Sequence, residues 1–134
     1  MNAAGPVRLA PTRTVMVLDD DPVILSVAIR ILTSRGYHVL SALSANEALE
    51  VAGGWPERID VLLCDLVLPG LSGREFANAF LARRPGTPVV YTSGYSSPGS
   101  FRWTVEHESH FLSKPFEVPE LIEAIERAIG GDVL

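Results

Sequence analysis

Apolar residues recur along this chain in short unbroken runs, each followed by a segment with helical spacing. The first run, Thr14-Val15-Met16-Val17-Leu18, is β-branched in part and does not alternate with polar residues. Such a run fits a strand covered on both faces, as in a parallel sheet. It stops at Asp19-Asp20-Asp21-Pro22, where Asp21 can cap a helix and Pro22 suits its first turn. Val23, Ile24, Val27, Ile31 and Leu32 then fall at helical spacing, and Gly36 ends the segment.

The same alternation repeats down the chain. A weaker strand is predicted over 38–41, then a helix over 44–52 with Ser44 as cap, Glu47 as its box partner and Gly53-Gly54 as its stop. A third strand spans 59–64 and ends at Asp65; a helix over 72–84 places Phe76, Ala77, Phe80 and Leu81 on one face. A fourth strand covers 88–92. The segment 97–108 has a poor helical pattern, interrupted by Pro98 and Gly99. A fifth strand covers 110–113. The last helix spans 119–129, with Leu121, Ile122, Ala124, Ile125 and Ile129 inward and Gly130-Gly131 as its stop. Five strands alternating with five helices predict an α/β fold built on a doubly wound parallel sheet. The expected organisation is a flexible tail over 1–13, one domain over 14–130, and a short C-terminal tail over 131–134.

Composition narrows the function classes. The 134 residues suit one domain, and 47% apolar with 20% charged residues is a globular balance. A net charge of −5 disfavours non-specific binding to nucleic acid or to an anionic membrane, since both need a basic surface. Cys64 is the single cysteine, so no intrachain disulfide can form. The first residues lack the apolar core of a signal peptide, and no run is long enough to span a bilayer. The expected compartment is the cytoplasm.

Ligands of doubly wound sheets bind outside the carboxyl ends of the strands. There the first strand presents Asp19 and Asp20, the third Asp65, the fourth Thr92 and Ser93, and the fifth Lys114. Carboxylates crowded into one crevice repel unless a cation offsets them. A hard divalent ion such as Mg²⁺ (or Mn²⁺) prefers such oxygen ligands. Three aspartates give −3, and one Mg²⁺ with Lys114 gives +3. An acyl phosphate on Asp65 would add further negative charge, to be met by metal, ammonium, hydroxyl and loop amides, as in phosphoryl transfer.

Leu18-Asp19-Asp20-Asp21-Pro22, the stretch from Cys64-Asp65-Leu66-Val67-Leu68-Pro69-Gly70 to Gly73, Thr92-Ser93-Gly94-Tyr95, and Phe111-Leu112-Ser113-Lys114-Pro115-Phe116 together resemble the receiver domains of two-component systems. Their order and spacing match that family over about 14–129. The resemblance implies a flavodoxin-like strand order 2-1-3-4-5 with helices on both faces. It implies Asp65 as phosphoacceptor, Asp20 as direct metal ligand, Asp19 as a ligand through water, and the Val67 carbonyl as a further ligand. Ser93 matches the switching hydroxyl, with adjacent Thr92 as the alternative. Lys114 would pair with phosphoryl oxygens, ahead of a cis bond to Pro115, and Phe111 matches the aromatic that changes rotamer. Pro69, Gly70 and Gly73 would shape the loop after Asp65. Val67 and Tyr95 would flank the path of attacking water and, lacking acid or amide groups, favour a long-lived phosphoryl state.

The partner implied is a histidine kinase or histidine phosphotransfer protein, with the last strand and its helices as the output or homodimer surface. No nucleic acid or membrane contact is expected through this domain. The motifs Leu68-Pro69-Gly70-Leu71-Ser72-Gly73 and Thr92-Ser93-Gly94-Tyr95 are similar to receivers joined to hybrid histidine kinases.

Plainer readings exist for each residue. Asp21 is best read as a helix cap, Phe111 is core as well as switch, and Cys64 is a small core residue. His38, His107 and His110 lack ligand-like spacing, and Trp55 and Trp103 cover loops. A phosphatase working through an aspartyl-phosphate would need a second acid two residues past the nucleophile, where Val67 stands. A nucleotide or flavin module would need a glycine-rich loop where Asp19 to Pro22 stand. The remaining alternative is a receiver-like interaction module that takes no phosphate.

Overall fold

A computed structural model of the protein describes residues 12–94 and 110–130. In chain order the elements are β1 (Thr14–Leu18), α1 (Pro22–Ser34), β2 (His38–Ala42), α2 (Ala45–Gly54), β3 (Val61–Asp65), β4 (Val67–Leu68), β5 (Leu71–Ser72), α3 (Gly73–Arg83), β6 (Val89–Ser93), β7 (His110–Ser113) and α4 (Val118–Gly130). Five of the strands pair in parallel in the order β2-β1-β3-β6-β7, which is the expected 2-1-3-4-5 arrangement.

The strands read as unbroken apolar runs because both faces are covered. On one side Met16, Leu18, Leu62, Cys64 and Tyr91 pack with Ala48 and Ala52 of α2 and Phe76, Ala77 and Phe80 of α3. On the other, Val15, Val17, Leu63, Val90 and Leu112 pack with Leu25, Ala28 and Leu32 of α1 and Leu121, Ile122 and Ile125 of α4. Strand alternation sends successive side chains to opposite clusters.

The caps expected at Asp21 and Ser44 form, and a further one appears at Ser72. Asp21 accepts the N–H groups of Val23 at 2.9 Å and Ile24 at 3.4 Å. The Ser44 hydroxyl accepts from the Glu47 N–H at 3.1 Å, and the Glu47 carboxylate accepts from the Leu43 N–H at 2.8 Å. Ser72 and Glu75 complete a capping box on α3.

Three details depart from the sequence pattern. Helix α2 takes in both Gly53 and Gly54 and ends at Gly54, past the expected end at 52. The Arg84 guanidinium holds this end from outside, donating to the Ala52 carbonyl in the last turn at 2.9 Å and, just beyond the helix, to the carbonyls of Trp55 at 2.7 Å and Glu57 at 2.8 Å. Strand β3 begins at Val61, because the buried Asp60 carboxylate accepts the Thr14 N–H at 2.7 Å and pairs with Arg58. The loop after Asp65 holds an unforeseen hairpin, β4 paired antiparallel with β5. Pro69 sets its first corner, and Gly70, at φ +84°, takes the second, which a side chain would disfavour. The poor helix read over 97–108, residues 1–11 of the first tail, the C-terminal tail, Tyr95, Trp103 and His107 lie outside the described residues.

Candidate functional site

Three aspartates meet at the carboxyl end of the sheet. Asp19 follows β1, Asp20 follows it, and Asp65 closes β3, beside β1 in the sheet. Each offers a carboxylate oxygen, and these oxygens lie within 4.8 Å of one another. Asp19 and Asp65 are 3% and 6% exposed, whereas Asp20 faces solvent.

Local hydrogen bonds aim these side chains. Asp19 accepts the Asp21 N–H at 2.9 Å, and Asp65 Oδ1 accepts the Val67 N–H at 3.1 Å. Each is an aspartate bonding the backbone two residues on, a habit of aspartate at a turn. Lys114 arrives from the end of β7, after which the chain makes a cis bond to Pro115. Its Nζ lies 2.8 Å from Asp19 Oδ2 and 3.1 Å from Asp65 Oδ2.

The electrostatics follow from burial and from two carboxylates sharing one ammonium. Burial pushes the Asp65 carboxyl above its ordinary value; the Val67 N–H and Lys114 oppose this, and the Asp19 charge adds to it. For Lys114, burial favours the neutral amine, but the carboxylates of Asp19 and Asp65 together outweigh it and hold the ammonium. The Cys64 thiol is pushed far up by burial first and by Asp65 and Asp19 second. It therefore stays protonated, as a small core residue does.

The loop beyond Asp65 is fitted to it. The Gly73 N–H donates to the Leu66 carbonyl at 2.7 Å, and a Cβ on Gly73 would run into the carbonyl oxygen of Asp65 and lie 2.9 Å from its carbonyl carbon. Val67 leaves its side chain 53% exposed beside the site. Thr92 and Ser93, at 2% and 1% exposure, close β6. The Ser93 hydroxyl donates to the Gly94 carbonyl at 3.3 Å, while Thr92 is the direct ladder partner of Asp65. Phe111 is half-buried against the cluster on the α2 and α3 side.

Asp19, Asp20, Asp65, Val67, Thr92, Ser93 and Lys114 are thus gathered at one rim. The sequence reading missed that Lys114 bridges Asp19 as well as Asp65, which needs β1, β3, β6 and β7 placed side by side. It also missed the Val67 N–H as a donor to Asp65, although an aspartate ending a strand was a usable signal. The donor set fits a hard divalent cation, because it consists of clustered carboxylate oxygens with one face open to water.

Known proteins agree with this geometry. The sequence profile of the response regulator receiver domain matches residues 15–126. The chain is 27% identical over 122 residues to the sensor kinase CckA of Brucella abortus, covering 90% of this chain and 13% of the kinase. It is 31% identical over 115 residues to the transcriptional regulatory protein GlrR of Escherichia coli, covering 85% of this chain and 26% of the regulator. The chain therefore spans about a quarter of the regulator's length and less of the kinase's. Among solved structures, a receiver domain from Clostridium thermocellum superposes with a TM-score of 0.77 at 27% identity, covering 88% of this chain and 94% of that one. The receiver of the hybrid histidine kinase CckA gives 0.73 at 29% identity, covering 87% and 98%. With a matching profile, fold and acidic rim, the chain belongs to the response regulator receiver domain family.

Proposed function

We propose that this receiver domain takes a phosphoryl group onto Asp65 from a phosphohistidine of a histidine kinase or phosphotransfer protein, as a cytoplasmic relay that turns over no independent substrate. The observation that carries the assignment is the Lys114 ammonium held between the carboxylates of Asp19 and Asp65, at the ends of three separate strands. In the transfer an Asp65 carboxylate oxygen forms a bond to phosphorus as the bond from phosphorus to the donor imidazole nitrogen breaks, and the imidazole leaves. Lys114 and the Val67 N–H already lie beside the Asp65 oxygens, so their positive ends meet the charge that the phosphoryl group brings. Asp19, Asp20, Asp65 and the Val67 carbonyl would hold Mg²⁺ or Mn²⁺, which supplies charge neutralisation for phosphoryl oxygens.

The Ser93 hydroxyl then turns toward the phosphoryl group and Phe111 shifts rotamer, repacking the surface of β7 and α4. That surface carries the output, through a downstream protein or a second copy. The arrangement is a two-state switch biased by local charge. Intact mass after incubation with acetyl phosphate and Mg²⁺ tests the site. One phosphoryl adduct is expected, dependent on Mg²⁺ and lost in Asp65→Asn. A folded protein without an adduct would instead support a phosphate-independent interaction module.

Val67 sets a second expectation. An exposed apolar side chain beside Asp65 cannot orient an attacking water, so the phosphoryl state decays slowly. Val67→Glu is expected to speed decay by about tenfold, less than the roughly 10²–10⁴-fold of a fully positioned general acid or base. The mass-detected half-life of the adduct measures it, and an unchanged half-life counts against the role.

A further inference from the structure

In the ladder between β3 and β6, Thr92 is the direct partner of Asp65; between β6 and β7 it is the partner of Leu112. Side chains of in-register partners point to the same face of a sheet. Leu63, Val90 and Leu112 belong to the cluster under α1 and α4. Asp65 and Thr92 stand two positions beyond Leu63 and Val90, and Lys114 two beyond Leu112, so all three start from that same face. The pairing reaches Lys114 itself, whose N–H donates to the Ser93 carbonyl at 2.8 Å.

Lys114 leaves the end of β7, yet its ammonium contacts Asp65 on β3 and Asp19 after β1. Strand β6 lies between. Strands β7 and β3 are two inter-strand spacings apart, about 9.6 Å. The lysine stem therefore crosses β6, and the residues on that face of β6 and its end that stand level with Asp65 and Lys114 are Thr92 and Gly94, the second of which has no side chain to offer.

We infer that Thr92 is a positioning residue whose side chain forms the floor of the track along which Lys114 reaches Asp65 and Asp19. The inference rests on the reading of Asp65 and Lys114 as the phosphoryl site. Threonine suits the task because it is short enough to leave the crossing open and stiff about χ1, being branched at Cβ. The two neighbouring hydroxyl residues then have separate tasks. Thr92, on the Asp65 face, guides the lysine, and Ser93, one step further on, supplies the hydroxyl that turns.

The first test is magnetic resonance of the unphosphorylated, metal-free protein. Nuclear Overhauser contacts are expected between the Thr92 methyl and the Lys114 side-chain methylenes. Their absence once both side chains are assigned would overturn the inference.

A double-mutant cycle on the acetyl phosphate reaction gives the second. Thr92→Leu, which stands in the track, is expected to slow phosphorylation by about tenfold or more, as small misplacements at reacting centres do. In a Lys114→Ala background the same change is expected to cost less than about twofold, because coupled sites are not additive. Thr92→Val keeps the shape without the hydroxyl and is expected to stay near the wild-type rate. Additive losses, or a Thr92→Val protein as slow as Thr92→Leu, would overturn the inference. Should Thr92→Leu fail to fold, the magnetic resonance result and Thr92→Val decide it. A wild type that takes no phosphoryl group would sink the functional reading alone, since the magnetic resonance test of Thr92 against Lys114 is made without phosphate.

Discussion

Asp65 is presented by what surrounds its main chain as much as by its own side chain. The Val67 N–H fixes one carboxylate oxygen and Lys114 the other. Behind it, Gly73 starts α3 so close to the Asp65 carbonyl that a methyl group cannot fit between them. Gly73→Ala must therefore displace either the α3 N-terminus or the Asp65 peptide. The expected cost is about 1–3 kcal/mol, as for other overpacked sites, together with slower phosphorylation. Denaturant melts and the adduct rate measure both, and a variant with wild-type values for the two would show that the loop gives way freely. Gly73 was legible in the sequence as a loop shaper. The reason it must be glycine was not, because the clash is with a residue eight positions back.

At the scale of elements, caps were the most legible feature. Asp21 and Ser44 act within three residues of their partners, so local sequence suffices to place them, and the structure adds an equally local box at Ser72. The C-terminal end of α2 is less legible for the opposite reason. Gly53-Gly54 reads as a stop after 52, yet the helix takes in both glycines, and Arg84, about thirty residues on, holds the Ala52 carbonyl and those of Trp55 and Glu57 just past the end. Removing that guanidinium in Arg84→Ala is expected to destabilise the fold by about 2 kcal/mol, the scale of hydrogen bonds to a charged group. A thermal or denaturant melt checks this, and Arg84→Lys should recover only part, since one ammonium cannot reproduce the planar fork. The hairpin of β4 and β5 escaped the pattern because each strand has two residues, too few for any periodicity.

At the scale of the molecule, the alternation of strand and helix predicts the parallel sheet, and the sheet delivers the acidic rim. The far end carries different chemistry. Tyr37, between α1 and β2, has its phenol raised above the ordinary 10.0 by burial first and by the Glu126 charge of α4 second, with Arg13 and Arg35 opposing. A raised folded value means that its contribution is fully present below the unfolded value and is lost as pH climbs through the folded one. Stability is thus expected to fall above about pH 10. Tyr37→Phe should flatten that decline in melts taken across the alkaline range. An equal decline in both proteins would remove Tyr37 as its cause. No helix among the described residues is long and apolar enough to cross a membrane.

Local pattern along the chain is enough for the fold class, the five-strand parallel sheet, the caps at Asp21 and Ser44 and the set of polar residues at the strand ends. These depend on local periodicity and on residue types whose spacing is read directly. Which of those polar groups touch is set by long-range packing. Lys114 bridges Asp19 and Asp65 because β6 and β3 set the width that its stem must cross. Thr92 rather than Ser93 lies in register with Asp65 because the parallel ladder fixes that pairing. Contacts of this kind join residues far apart along the chain, and their geometry is set by strand order and register, which no window of sequence contains.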